Sequence, residues 1–137
     1  MKQYRYGNPD VQTVLIQLVG EHDLPFMEQE IREIKTLTDN ADFDMIAVKV
    51  DDWNNDLSPW AAPPVFGKEP FGDGAKATLD YLQRELISSF VGRSVYLGGY
   101  SLAGLFALWA AYQTDVCLAE SRQFLRLCGS QGSRNTQ

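Results

Sequence analysis

Histidine is nearly missing from this sequence: His22 is the only one in 137 residues. One imidazole among scattered carboxylates (Asp23, Asp51 and Asp52) has no metal-ligand spacing, so no metal or other cofactor is expected. Cysteine is almost as scarce. Cys117 and Cys128 both lie near the C-terminus, and two thiols build neither a disulfide framework nor a zinc site. Basic residues are outnumbered, 12 Lys and Arg against 18 Asp and Glu, for a formal charge of −6. That balance argues against a phosphate-backbone partner and offers no polybasic patch for a membrane surface. Long apolar runs are absent too. None approaches the roughly 20 residues a bilayer requires, and the opening MKQYRYGNPD has no apolar core of a signal peptide. The expectation is a cytoplasmic, soluble protein with no nucleic-acid or membrane partner.

What remains is ample for a single folded domain, with 45% hydrophobic and 12% aromatic residues and no repeat or low-complexity tract. Residues 11–19 (VQTVLIQLV) form a nearly continuous apolar run between Asn8-Pro9-Asp10 and Gly20, which predicts a buried strand. Residues 25–40 place Met27, Ile31, Ile34 and Thr38 at helical spacing. Pro25 suits a first helical position, and Glu28 and Glu30 suit a first turn. A second strand is predicted over 43–50 (FDMIAVKV), then a long loop over 51–73 rich in Trp, Asn, Pro and Gly. Loops of that length usually line a site. A helix over 74–90, a strand over 94–98 (SVYLG) and a helix over 102–113 complete the order. Alternating strands and helices with apolar strands imply the α/β class: three layers, α/β/α, around a mostly parallel sheet. In such sheets functional loops gather at the carboxyl ends of the strands, here residues 20–24, 51–53 and 99–103.

The third of these loops carries the clearest chemistry. Gly99-Tyr100-Ser101-Leu102-Ala103 nearly matches G-x-S-x-G, with alanine in the last place and Gly104 just beyond. That motif sets a serine on a strained strand-to-helix turn, with small residues two before and two after so that the turn can close. The following helix aims its N-terminal N–H groups at the same point, which makes the Leu102 N–H a natural oxyanion donor. A P-loop would need lysine where Leu105 stands, and a dinucleotide loop would need glycine where Ser101 stands, so a nucleotide-binding domain is disfavoured. Two readings of Ser101 stay open: a nucleophile, or a helix N-cap beside glycines that allow close packing.

With these stretches in view, VLIQLVGEHDLPFMEQEI, IAVKVDDWNNDLSPWAAPPVFGKEPFGDGAKATLDYL and YLGGYSLAGLFALWAAYQTD, the chain resembles the N-terminal half of a bacterial α/β-hydrolase of the esterase type. The likeness covers residues 1–115 and implies a partial α/β-hydrolase fold. It implies that Ser101 accepts the acyl group of a small-molecule ester. It implies a second oxyanion N–H from residues 21–24, Glu21 and His22 foremost, beside that of Leu102. It implies that the loop over 53–71, with Trp53, Trp60 and Phe66, helps wall the acyl or alcohol pocket together with Tyr100. For those aromatics, ordinary packing over the core is the competing reading.

A serine nucleophile needs a base, and the base needs an orienting carboxylate. In α/β-hydrolases the chain order is Ser, then Asp or Glu, then His. After Ser101 this sequence offers Asp115 and Glu120 but no histidine. His22, with Asp51 or Asp52, is the alternative, weighed against local hydrogen bonding that merely shapes its loop. Residues 116–137 lack strand alternation and end in polar residues and glycine. Back-translated and shifted by two bases, residues 119–133 can encode an apolar strand followed by a Ser-Pro turn. The expectation is therefore a second half replaced by a frameshift near Val116, which the gene's nucleotide sequence checks. Two functions remain open: a serine carboxylester hydrolase, inactive or nearly so in this truncated form, and a non-catalytic fragment or acyl-ligand binding module. With nothing beyond residues 94–98 in the sheet, that strand would be an exposed edge inviting self-association.

Overall fold

The computed structural model describes residues 1–39, 41–65, 67–113 and, as backbone, 124–126. Its elements run β1 (Lys2–Gly7), β2 (Thr13–Val19), a 3₁₀ turn (Glu21–Phe26), α1 (Met27–Leu37), β3 (Asp44–Lys49), α2 (Trp53–Asp56), α3 (Ala75–Glu85), a second 3₁₀ turn (Ile87–Phe90), β4 (Ser94–Gly98), α4 (Leu102–Gln113) and β5 (Phe124–Arg126). The five strands form one sheet in the order β1-β3-β2-β4-β5.

The central strand β2 pairs in parallel with β3 on one side and β4 on the other. Its residues Val14 to Val19 are all buried, as expected for a strand covered on both faces. Alternation decides which face each side chain takes. Val14, Ile16 and Leu18, with Ile46, Val48, Val95 and Leu97, pack against Leu79 and Leu82 of α3 and Phe106, Ala107 and Ala110 of α4. Leu15 and Val19, with Met45 and Ala47, pack against Met27 and Ile34 of α1. The result is the three-layer α/β/α arrangement read from the sequence.

The structure corrects several details. Pro25 does not open α1; it lies inside the 3₁₀ turn, which a hydrogen bond from the Asp23 N–H to the Gly20 carbonyl starts at 3.1 Å. The expected helix over 74–90 breaks at Glu85 and resumes as the second 3₁₀ turn. The expected loop over 51–73 contains α2 and a two-residue antiparallel bridge, Ala62 with Phe71. The sheet also extends beyond three strands. Antiparallel β1 joins β3, and antiparallel β5 pairs Phe124, Leu125 and Arg126 with Gly98, Leu97 and Tyr96 of β4. The expectation that β4 is the bare edge is thereby corrected: its outer N–H and C=O groups have a partner strand. The proposed frameshifted tail otherwise lies outside the described residues.

At the amino ends of the strands, Asp44 is 1% exposed and holds two arginines. Arg5 from β1 donates to Asp44 Oδ2 at 2.5 Å, and Arg93, just before β4, approaches the same oxygen at 3.4 Å. Arg93 also donates through Nε to the Val11 carbonyl at 3.1 Å and lies over the Phe90 ring. One carboxylate thus ties β1, β3 and the entry to β4 together. Along α4, Leu105, Leu108 and Tyr112 are exposed. No helix among the described residues is long and apolar enough to cross a membrane.

Candidate functional site

Because β2 runs parallel to both neighbours, the segments leaving β2, β3 and β4 emerge at one edge of the sheet. The turn after β4 is short: only Gly99, Tyr100 and Ser101 separate the strand from α4. Ser101 has φ of 52°, in the left-handed region that non-glycine residues rarely enter. Holding a serine there costs about 1–2 kcal/mol, so the surrounding packing must impose it. Gly99 shows how tight that packing is. A Cβ there would stand 2.4 Å from the Ala103 Cβ and 3.3 Å from the Leu18 carbonyl oxygen. The corner can close only with glycine at 99 and a small residue at 103.

The strain gives a direct stability test. Replacing Ser101 with glycine removes the Cβ that makes this backbone unfavourable, whereas alanine keeps it. Ser101→Gly is expected to be more stable than Ser101→Ala by about 1 kcal/mol, read from chemical-denaturation midpoints. Equal midpoints would show that the turn is unstrained.

The backbone around Ser101 leaves the Leu102 N–H open among the described residues. The Ala103 N–H reaches the Tyr100 carbonyl at 2.9 Å, the Gly104 N–H reaches it at 3.3 Å, and the Leu105 N–H reaches the Ser101 carbonyl at 3.1 Å. The Leu102 N–H, first in the helix, has no acceptor among the described residues. In the loop after β2, the Gly20 N–H donates to Asp23 Oδ2 at 2.9 Å, while the N–H groups of Glu21 and His22 have no acceptor among the described residues.

Ser101 is exposed and opens on a cavity of about 580 Å³ lined by Trp53, Asn54, Val65, Phe71, Leu102 and Leu105. Among the described residues no charged side chain lines it, and most of its wall is apolar. Phe71, Leu102 and Leu105 also wall a smaller cavity of about 170 Å³, completed by Ser58, Pro59, Trp60 and Ala62. The candidate pocket residues therefore separate. Trp53 shares the Ser101 cavity, Trp60 belongs to the smaller one, and Phe66 lies outside the described residues. Tyr100 instead lines a separate cavity beside α1, with Asp23, Phe26, Gln29, Glu30 and Glu33.

His22 is not part of the Ser101 cavity. Its side chain is 82% exposed, its Nε2 lies 3.4 Å from Asp23 Oδ1, and its ring meets Trp53 edge-on. Glu21 reaches Lys49 at 3.3 Å. Asp51 and Asp52 shape their loop: Asp52 Oδ1 accepts the Asn55 N–H, and Asp56 Oδ2 accepts the N–H groups of Asp51 and Asp52 at 3.2 and 2.9 Å. Among the described residues, no group of three His, Cys, Asp or Glu side chains is placed to hold a metal ion.

Sequence reasoning placed the loop over 53–71 at the pocket without singling out Asn54, Val65 or Phe71 within it, and it missed Leu105 of α4. The signal that could have found Phe71 is the pair of glycines after it. Gly72 and Gly74 both lie against Asn55, so closely that a Cβ on Gly74 would sit 2.8 Å from the Asn55 carbonyl oxygen. Their N–H groups donate to the carbonyls of Asn54 and Asn55 at 3.1 and 2.9 Å. That docking returns Phe71 to α2 and completes the cavity.

No protein-family model matches the chain, and no curated protein sequence matches it. Among solved structures it is similar to the siderophore hydrolase EstA from Aspergillus nidulans, at a TM-score of 0.50 and 19% identity. The likeness covers 77% of this chain and 43% of that one, so the chain spans less than half the length of that hydrolase. At this identity the similarity shows the fold alone: an α/β architecture shared with that hydrolase.

Proposed function

We propose that the chain is the nucleophile-bearing part of a serine carboxylester hydrolase, with Ser101 on a nucleophile elbow. The observation that carries this reading is a serine in left-handed backbone between the interior strand β4 and a helix, opening on a largely apolar cavity. In this reading the Ser101 hydroxyl attacks an ester carbonyl. The Leu102 N–H, with that of Glu21 or His22, receives the oxyanion, and the alcohol leaves as the acyl-enzyme forms. Trp53, Val65, Phe71 and Leu105 hold an uncharged, apolar part of the ester. A bacterial enzyme of the esterase type is the specific form of this proposal.

The base is the element the described residues do not supply. His22 is engaged beside Asp23 and Trp53, and the chain has no other histidine. Catalysis by nucleophile and oxyanion donors alone retains only a small part of a triad's rate. Hydrolysis of p-nitrophenyl acetate is therefore expected to stay close to background, with slow covalent labelling by a fluorophosphonate probe. Labelling is expected to vanish in Ser101→Ala and to persist in His22→Ala. Absence of labelling in the unaltered chain, or labelling that survives Ser101→Ala, would overturn the assignment. Binding of an apolar ester without labelling would favour the second reading, an acyl-binding module, which the missing base supports.

A further inference from the structure

The Ser101 cavity and its smaller neighbour have a common wall, since Phe71, Leu102 and Leu105 line both. Leu102 follows Ser101 directly, so that wall begins at the residue after the serine. An arm of a molecule seated at Ser101 can therefore cross into the smaller cavity, where it meets Trp60 and Ala62.

The smaller cavity is built in advance. The Phe71 N–H donates to the Ala62 carbonyl at 2.8 Å, and the Ala62 N–H donates back to the Phe71 carbonyl at 3.1 Å. One residue on, the Gly72 N–H reaches the Asn54 carbonyl at 3.1 Å. These bonds hold Phe71 in place as a fixed wall. The lining is also apolar in effect. The Ser58 hydroxyl donates its proton to the Trp60 carbonyl at 2.8 Å, and no charged side chain among the described residues lines either cavity. Trp60 and Leu105 nevertheless stand exposed among these walls. Large apolar side chains left together at the surface, next to a candidate nucleophile, mark a place where an apolar group docks.

Size selects that group. The smaller cavity holds about 170 Å³, close to the roughly 150 Å³ of an apolar cavity that takes up one benzene ring. Trp60 and Phe71 offer aromatic surface for a ring to pack against. We infer that the substrate is an ester with two apolar arms, one in the Ser101 cavity and one that ends in a phenyl-sized group in the smaller cavity. This rests on Ser101 being the nucleophile. Phe71 then determines specificity, because it parts the two arms.

The full chain is tested with phenylalkyl phosphonofluoridates of lengthening linker, compared with the methyl probe. In each, the serine oxygen displaces fluoride from phosphorus and the phenylalkyl arm stays attached. Too short a linker cannot cross the common wall, and too long a one overshoots the cavity. The labelling rate is therefore expected to peak at an intermediate linker, at least about tenfold above the methyl probe. Ala62→Leu fills the smaller cavity and is expected to erase that advantage. Trp60→Ala removes an exposed wall, which the fold tolerates, and is expected to reduce the advantage as well. Rates that stay level along the series, or a peak that both variants keep, would overturn the inference.

Ser101→Ala separates the cavity from the nucleophile assignment. In that variant, benzyl acetate or methyl phenylacetate is expected to shift the backbone amides of Ser58, Trp60 and Ala62 saturably, and ethyl acetate is expected to leave them in place. The two aryl esters carry the ring on the alcohol and the acyl side, so the one that acts identifies the arm. If no probe labels Ser101 while these shifts appear and Ala62→Leu abolishes them, the nucleophile assignment fails and the aryl cavity stands. If Ser101 is labelled and neither aryl ester shifts these amides, the cavity proposal fails alone.

Discussion

Gly99→Ala is expected to destabilise the protein by about 1–3 kcal/mol, the range for forcing extra volume into a packed core. The new methyl would stand 2.4 Å from the Ala103 Cβ, well inside contact distance, and neither atom belongs to a flexible side chain. Either β4 or α4 must move, and both moves change where Ser101 is held. Urea midpoints give the stability loss, and fluorophosphonate labelling reports the displacement of the serine. The double variant with Ala103→Gly separates the causes. It removes the closest contact but leaves the Leu18 carbonyl at 3.3 Å, so partial recovery is expected. A Gly99→Ala protein with unaltered midpoint and labelling would show that the corner is looser than its geometry indicates.

Asp44→Ala is expected to be costlier, at about 3 kcal/mol. Removing one partner of a buried ion pair leaves the other charge uncompensated, which typically costs about 3–5 kcal/mol. The lower end applies because Arg5 is half exposed and can turn to water, whereas Arg93 is mostly covered. Arg5→Ala should cost much less, on the order of 1 kcal/mol, since Arg93 still faces Asp44. Thermal or urea unfolding of the two variants checks the order. Equal losses would mean that Asp44 depends on Arg5 alone.

The three parallel strands and α4 were legible because they are apolar runs, those of β2 and β4 cut off by glycine, and tertiary packing follows that pattern directly. The antiparallel strands were not. β1 reads KQYRYG, an edge strand whose exposed polar residues and aromatics leave no apolar alternation to detect. β5 is three residues long, and its existence depends on β4 being in place. Glu30 was read as a first-turn acid, favoured by the helix dipole. It is one in the structure, but it also falls on the buried face of α1 with Met27 and Ile34, which the dipole argument did not address. Within the candidate site, the glycines around Ser101 speak through local sterics and can be read from five letters. Phe71 and Leu105 reach the cavity only through the Asn55 docking and the packing of α4, contacts that no spacing rule encodes.

The arginine clamp on Asp44 lies where β3 begins, and the serine corner lies beyond the far end of β4. At a rise of about 3.3 Å per residue, five residue steps of strand put roughly 16 Å between them. Changes at such a distance combine almost independently. A protein engineer could therefore strengthen the clamped end to tolerate heat, then rebuild the other end with a grafted general base, without either alteration undoing the other.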